Sequence, residues 1–112
     1  MPVASGPESL ELHGSDPLPI ESLMVRRAVL VKNANGLHLL PCSVIARAVK
    51  DFPGTVKLIR GNREANAKSI MDVIQLGAVC GTELTLEVEG QGAAEVTDRI
   101  EQLFDDGFMT DR

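Results

Sequence analysis

The stretch Thr82-Glu83-Leu84-Thr85-Leu86-Glu87-Val88-Glu89 alternates polar and apolar residues with period two, and this run restricts the fold more than any other part of the chain. Successive side chains of a strand point to opposite faces, so one face of this strand is covered and the other is wet. Such a strand fits an antiparallel sheet with one solvated side, and not a parallel sheet enclosed by helices on both faces. The cover has to come from the rest of the chain.

Three further strands are legible. Leu23 to Lys32 is rich in aliphatic and β-branched residues and ends at the turn signal Asn33-Ala34-Asn35-Gly36. Thr55 to Arg60, a tight Gly61-Asn62 turn and a weaker return over Arg63 to Ala67 read as a hairpin. Helical spacing supplies the cover. From about Leu39 to Asp51, Cys42, Ile45, Val49 and Phe52 recur at three- and four-residue steps, and Pro53-Gly54 stops the helix. Ser69 suits the N-cap of a short helix over Ile70 to Leu76 that ends near Gly77. Ala93, Val96, Ile100, Leu103 and Phe104 form the stripe of a last helix, which Asp105-Asp106-Gly107 closes and onto which Phe108 is placed to fold back. The order is β-α-β-β-α-β-α, and the expected architecture is an α+β domain over residues 23–112, with a four-stranded, mostly antiparallel sheet covered by three helices on one face.

Composition narrows the function. A chain of 112 residues makes one small domain, and the Pro- and Gly-containing residues 1–22 show no sustained period, so they are expected to be a disordered or loosely attached extension. A net charge of −5 argues against nucleic acid as a partner, and a chain with three Phe and no Trp or Tyr offers no stacking platform. Cys42 and Cys80 lack CxxC spacing and are expected to be reduced and mostly buried. His13 lies in the extension without neighbouring ligands, so no metal is expected. The start has neither a basic n-region nor an apolar h-region, and no run approaches membrane-spanning length, which points to a cytoplasmic location.

Chemistry concentrates at Asn35-Gly36-Leu37-His38-Leu39-Leu40-Pro41-Cys42. Gly36 permits a tight turn, and Pro41 suits the first turn of a helix that starts at about Leu39 or Leu40. His38 then sits at or near the N-cap, where the backbone amides of Leu39 and Leu40 and the positive dipole end form an anion site. A neutral imidazole is a nucleophile, and a phosphoryl group on it would meet waiting donors. The competing reading is that His38 merely occupies a turn. Leu40, Val44 and Arg47 share a second face of this helix, which is either ordinary cover for the sheet or a docking patch; Ile70, Met71 and Ile74 are expected to face outward in part. An independent thiol or histidine enzyme has little support, because no acid/base partner falls near His38 in the sequence.

The order of elements, together with Asn35-Gly36-Leu37-His38-Leu39-Leu40-Pro41 and Asn66-Ala67-Lys68-Ser69-Ile70-Met71, resembles the HPr family of histidine-containing phosphocarriers from Met24 to Phe108, and Leu76-Gly77, Gly81 and Glu89-Gly90 agree as well. The resemblance implies an open-faced β-sandwich and a role in the bacterial phosphoenolpyruvate-dependent phosphotransferase system. His38 would accept a phosphoryl group on Nδ1 from enzyme I and pass it to IIA-type proteins, as a carrier intermediate rather than a free-standing catalyst. It also implies a monomer without cofactor, docking through Leu40, Val44, Ile70, Met71 and Ile74, and, in some lineages, regulation by a kinase and phosphatase acting at Ser69.

The sequence departs from the family where a small residue and an arginine usually follow the histidine and Leu39 and Leu40 stand instead. Losing that charge-assisted contact would weaken phosphoryl handling by about 1.5–3 kcal/mol. Arg47, Lys50 and Lys68 are the cations available to compensate. The alternative function is a regulatory binding module, no longer an efficient relay, controlled by phosphorylation of Ser69.

Overall fold

The computed structural model describes residues 23–109. The extension over residues 1–22, His13 and the last three residues lie outside the described residues. Strand β1 runs Met24–Leu30, helix α1 Leu39–Val49, β2 Thr55–Arg60, β3 Arg63–Asn66, helix α2 Ile70–Gln75, β4 Glu83–Glu89 and helix α3 Ala93–Asp105, followed by a short 3-10 turn at Gly107–Met109. The order matches that expected from the periodicities. β1 and α1 end two residues sooner than the sequence suggests, a difference within the usual fraying of element ends.

The sheet order is β1-β4-β2-β3, and every neighbouring pair is antiparallel. The alternating strand is therefore central. Leu84, Leu86 and Val88 are buried, and register places Val25 and Val56 beside Val88, and Leu58 beside Leu86 with Ala65 beyond it. On the other face, Arg26 meets Glu87 at 2.7 Å and Lys57 meets Glu64 at 3.5 Å, so charged cross-strand pairs occupy the open side.

All three helices pack on the apolar face. Cys42, Ile45 and Val49 of α1, Val73 of α2, and Val96, Ile100 and Phe104 of α3 join the inward residues of the sheet in one buried cluster. Each fully buried side chain of this size contributes about 1.5–3 kcal/mol. Phe108 does fold back, its ring 4.8 Å from that of Phe104 at an interplanar angle of 67°, an edge-to-face contact. Arg27 is the one inward position of β1 that carries a charge; on the edge strand it reaches Glu101 of α3 at 2.7 Å and Asp98 at 3.6 Å, which ties that helix to the sheet.

The two shorter helical segments are held end to end. The Lys68 ammonium donates to Phe52 O at 2.6 Å just beyond α1, and Leu37 N–H donates to Ala78 O at 2.9 Å just before it. Helix α2 therefore starts beside the C-terminal end of α1 and leads back toward its N-terminal end.

Candidate functional site

Asn33 opens the turn that joins β1 to α1. Its carbonyl accepts Gly36 N–H at 3.0 Å, its side-chain Nδ2 donates to Gly36 O at 2.5 Å, and His38 N–H reaches the same oxygen at 2.9 Å. Gly36 has φ +67°, and a Cβ placed there would stand 2.5 Å from Ala78 O and 2.9 Å from Val79 Cα. Two demands therefore select glycine, a left-handed backbone and a close approach to the 77–81 loop.

His38 is the N-cap of α1, with φ −86° and ψ −168° and no side-chain capping bond. The first N–H turned inward to the helix is that of Cys42, which donates to His38 O at 3.1 Å. Pro41 has no N–H, so Leu39 and Leu40 are left to present the free amides of the first turn. No acidic residue stands in that turn, and the positive end of an 11-residue helix faces whatever occupies it. The imidazole is partly exposed, but its Nε2 is buried without a hydrogen-bond partner among the described residues. The turn thus covers one ring nitrogen and leaves the approach to the other.

Exposed apolar side chains stand on the first turn of α1, on α2 and in the loop before β4. Leu39 is 64% exposed, Leu40 51%, Met71 61% and Val79 66%. Val44, Ile70 and Ile74 are half-buried and pack on the core, so they serve both readings of the second helix face, while Leu40 is free of it. Val79 has no periodic signal in the sequence; the packing of its loop on Gly36 and Leu37 brings it to the site.

Two expectations are corrected. Arg47, Lys50 and Lys68 do not reach the imidazole. Arg47 lies in the last turn of α1 and Lys50 is its C-cap, roughly 12–16 Å along the axis from Leu39 at 1.5 Å per residue. Lys68 is spent on Phe52 O at that same far end. These cations sit where a helix dipole favours positive charge, and i+4 spacing in the sequence does not distinguish the two ends. Cys80 is exposed rather than mostly buried, with Sγ 3.6 Å from Lys32 O, because the loop that carries it turns outward after Ala78. Cys42 is buried, and burial raises its thiol to about 11, which makes it a core residue and not a nucleophile.

Ser69 caps α2, its Oγ accepting the N–H of Asp72 at 3.2 Å. Since α2 starts beside the C-terminal end of α1, Ser69 stands at the opposite end of the helix pair from His38. Among the described residues no cluster of three His, Cys, Asp or Glu could hold a metal ion, and no helix is long and apolar enough to cross a membrane.

Comparison with known proteins agrees with this arrangement. Residues 25–106 match the family described as the PTS HPr component phosphorylation site. The phosphocarrier protein HPr of Treponema pallidum is 40% identical over 85 residues, covering 76% of this chain and 97% of that protein. A multiphosphoryl transfer protein of Haemophilus influenzae is 28% identical over 117 residues, covering 93% of this chain and 23% of its own length. Among solved structures, HPr-C-His from Thermoanaerobacter tengcongensis superimposes with a TM-score of 0.74 at 26% identity, covering 79% of this chain and 99% of that one. The β-α-β-β-α-β-α order, the sheet open on one side and the histidine turn all fall within the matched region, and the chain belongs to the HPr family.

Proposed function

We propose that this protein is a phosphocarrier of the phosphoenolpyruvate-dependent phosphotransferase system, with His38 as the phosphoryl acceptor. The observation that carries the reading is the position of His38 at the uncapped N-terminus of α1 with Nε2 covered. Nδ1 is then the nitrogen that meets a donor. Its lone pair forms the bond to phosphorus as the bond between phosphorus and the donor breaks, with the electron pair leaving on the donor. The amides of Leu39 and Leu40 and the dipole stabilise the phosphoryl oxygens without reorganising. Membership of the HPr family supports a place among phosphotransfer proteins; enzyme I as donor and IIA-type proteins as acceptors are the partners this reading names. Exposed Leu39, Leu40, Met71 and Val79, with Ile70, Ile74 and Val44 behind them, form the docking surface.

Among the described residues no cation stands in the first turn of α1, so in this reading the partner enzyme supplies the positive charge that a neighbouring arginine otherwise brings. Ser69 is the proposed regulatory position. A phosphate there adds about −1.5 to −2 charges two residues from exposed Met71, and because Ser69 is at the far end of α2 it acts on docking rather than on the imidazole. A kinase and phosphatase for it belong to this proposal.

The test is incubation of the chain with phosphoenolpyruvate and its enzyme I, followed by addition of a IIA-type acceptor. An acid-labile label that appears on the chain, moves to the acceptor and is absent from His38→Ala supports the relay. A chain that takes no label from its own enzyme I refutes it.

A further inference from the structure

Among the described residues, only two buried side-chain polar atoms have no hydrogen-bond partner, Asn33 Oδ1 and His38 Nε2. Both belong to the same turn. Native proteins leave few such groups, and each one calls for an explanation. Asn33 is 1% exposed, far more buried than a turn asparagine needs to be. Its orientation is not arbitrary: Gly36 O lies 2.5 Å from Nδ2, and an oxygen in that place would face an oxygen. The leftover atom is therefore the acceptor Oδ1. On the histidine the leftover atom is a ring nitrogen that donates whenever it carries the proton. Both groups are also anchored to one oxygen, since His38 N–H reaches Gly36 O at 2.9 Å.

We infer that Asn33 is a positioning residue for the phosphoryl acceptor: Oδ1 takes the Nε2–H of His38, directly after a small rotation of the imidazole or through one bridging water. The two atoms are not bonded to each other in this conformation, and either step satisfies both at once. The bond selects the tautomer with the proton on Nε2, which leaves the lone pair on Nδ1. During transfer the bond from Nδ1 to phosphorus forms, the bond from phosphorus to the donor breaks, and the Nε2 proton stays on the ring, held by Oδ1. Asn33 touches neither the phosphoryl group nor the partner. It also clamps the Gly36 peptide from both sides, through its carbonyl and through Nδ2, so the side chain that sets the tautomer also sets the backbone from which the ring projects.

The inference concerns the same site as the phosphocarrier reading and rests on it for its consequence, but its test does not need phosphoryl transfer. The full chain, labelled with 15N in histidine, is examined unphosphorylated by ring-nitrogen NMR. The result expected is a dominant Nε2–H tautomer for His38 with a ring proton protected from solvent exchange. In Asn33→Ala the exchange of that proton quickens by about tenfold, the loss of one ordinary hydrogen bond, and the tautomers mix. Asn33→Asp, which keeps an acceptor and loses the donor to Gly36 O, retains the Nε2–H form. A purely structural role for Asn33 would lower stability in both variants without changing the tautomer. If Asn33→Ala does not fold, the wild-type spectrum still decides: a dominant Nδ1–H tautomer overturns the inference, as does an unchanged tautomer ratio in a folded Asn33→Ala. A chain that shows the protected Nε2–H yet takes no phosphoryl group would refute the phosphocarrier reading alone.

Discussion

Gly36→Ala tests how the turn is built. Gly36 has φ +67°, where an L residue costs about 1–2 kcal/mol. The added Cβ would also stand 2.5 Å from Ala78 O and 2.9 Å from Val79 Cα, both backbone atoms that cannot rotate away. The turn must lift off the 77–81 loop, which stretches the Leu37 N–H bond to Ala78 O, and losing that bond costs about 0.5–1.5 kcal/mol. Together the destabilisation is about 1.5–3.5 kcal/mol, a fall in Tm of roughly 6–28 °C for a domain of this size. Gly61→Ala is the control, since Gly61 has φ +60° but nothing within 4 Å; it pays the left-handed term alone. Urea unfolding followed by far-UV circular dichroism gives both values, with an unchanged m-value confirming that the native state is what changed. The displaced turn carries His38 with it, so phosphoryl acceptance falls by more than the unfolded fraction explains. A Gly36→Ala variant no less stable than Gly61→Ala would refute the close approach between the two loops.

Other outcomes follow from the same geometry. Leu40→Arg restores a cation to the first turn of α1 and is expected to raise the rate of transfer from enzyme I about ten- to a hundredfold; an unchanged rate would show that the partner already supplies all the charge the reaction uses. Met71→Lys, at a side chain 61% exposed, is expected to change stability by less than about 0.5 kcal/mol while raising the KM for the chain as substrate of enzyme I, and steady-state kinetics beside urea unfolding separates the two. A thiol reagent at pH 8 is expected to label Cys80 at once and Cys42 only on unfolding. The Cys42 thiol titrates at about 11 when folded against 9.0 when exposed, so its contribution to stability is complete below pH 9 and is lost as pH rises toward 11. The loss reaches about 2–3 kcal/mol, and the difference between wild type and Cys42→Ala, followed by urea unfolding across that range, measures it.

The sheet and its cover were legible because each element carries a strong period. Leu84, Leu86 and Val88 announce a half-buried strand, and Cys42, Ile45 and Val49 announce the face of the helix laid on it; burial then follows the pattern. The strand-to-helix turn was legible for a local reason, since Gly36 and Pro41 each suit a single backbone role. What sequence spacing misplaced was distance. Arg47, Lys50 and Lys68 are close to His38 in number or in motif, yet α1 is a rigid rod of about 16 Å and all three gather at its other end. The exposure of Val79 and the side-chain role of Asn33, which the sequence marks only as part of a turn signal, are hidden for a related reason. Their roles exist only after the 77–81 loop packs on Gly36 and the Asn33 amide closes on Gly36 O. Cys80 looked like a core residue by type, but the exposure of a loop residue depends on the direction of the loop.

The most direct test of the central claim is to identify the ring nitrogen that carries the phosphoryl group. The chain, labelled with 15N in histidine, is phosphorylated with phosphoenolpyruvate and enzyme I, and phosphorus–nitrogen coupling is read at His38. Because Nε2 is covered by the turn, the account predicts coupling to Nδ1 alone. Coupling to Nε2, or a phosphorylated chain whose label is not on His38, would contradict it.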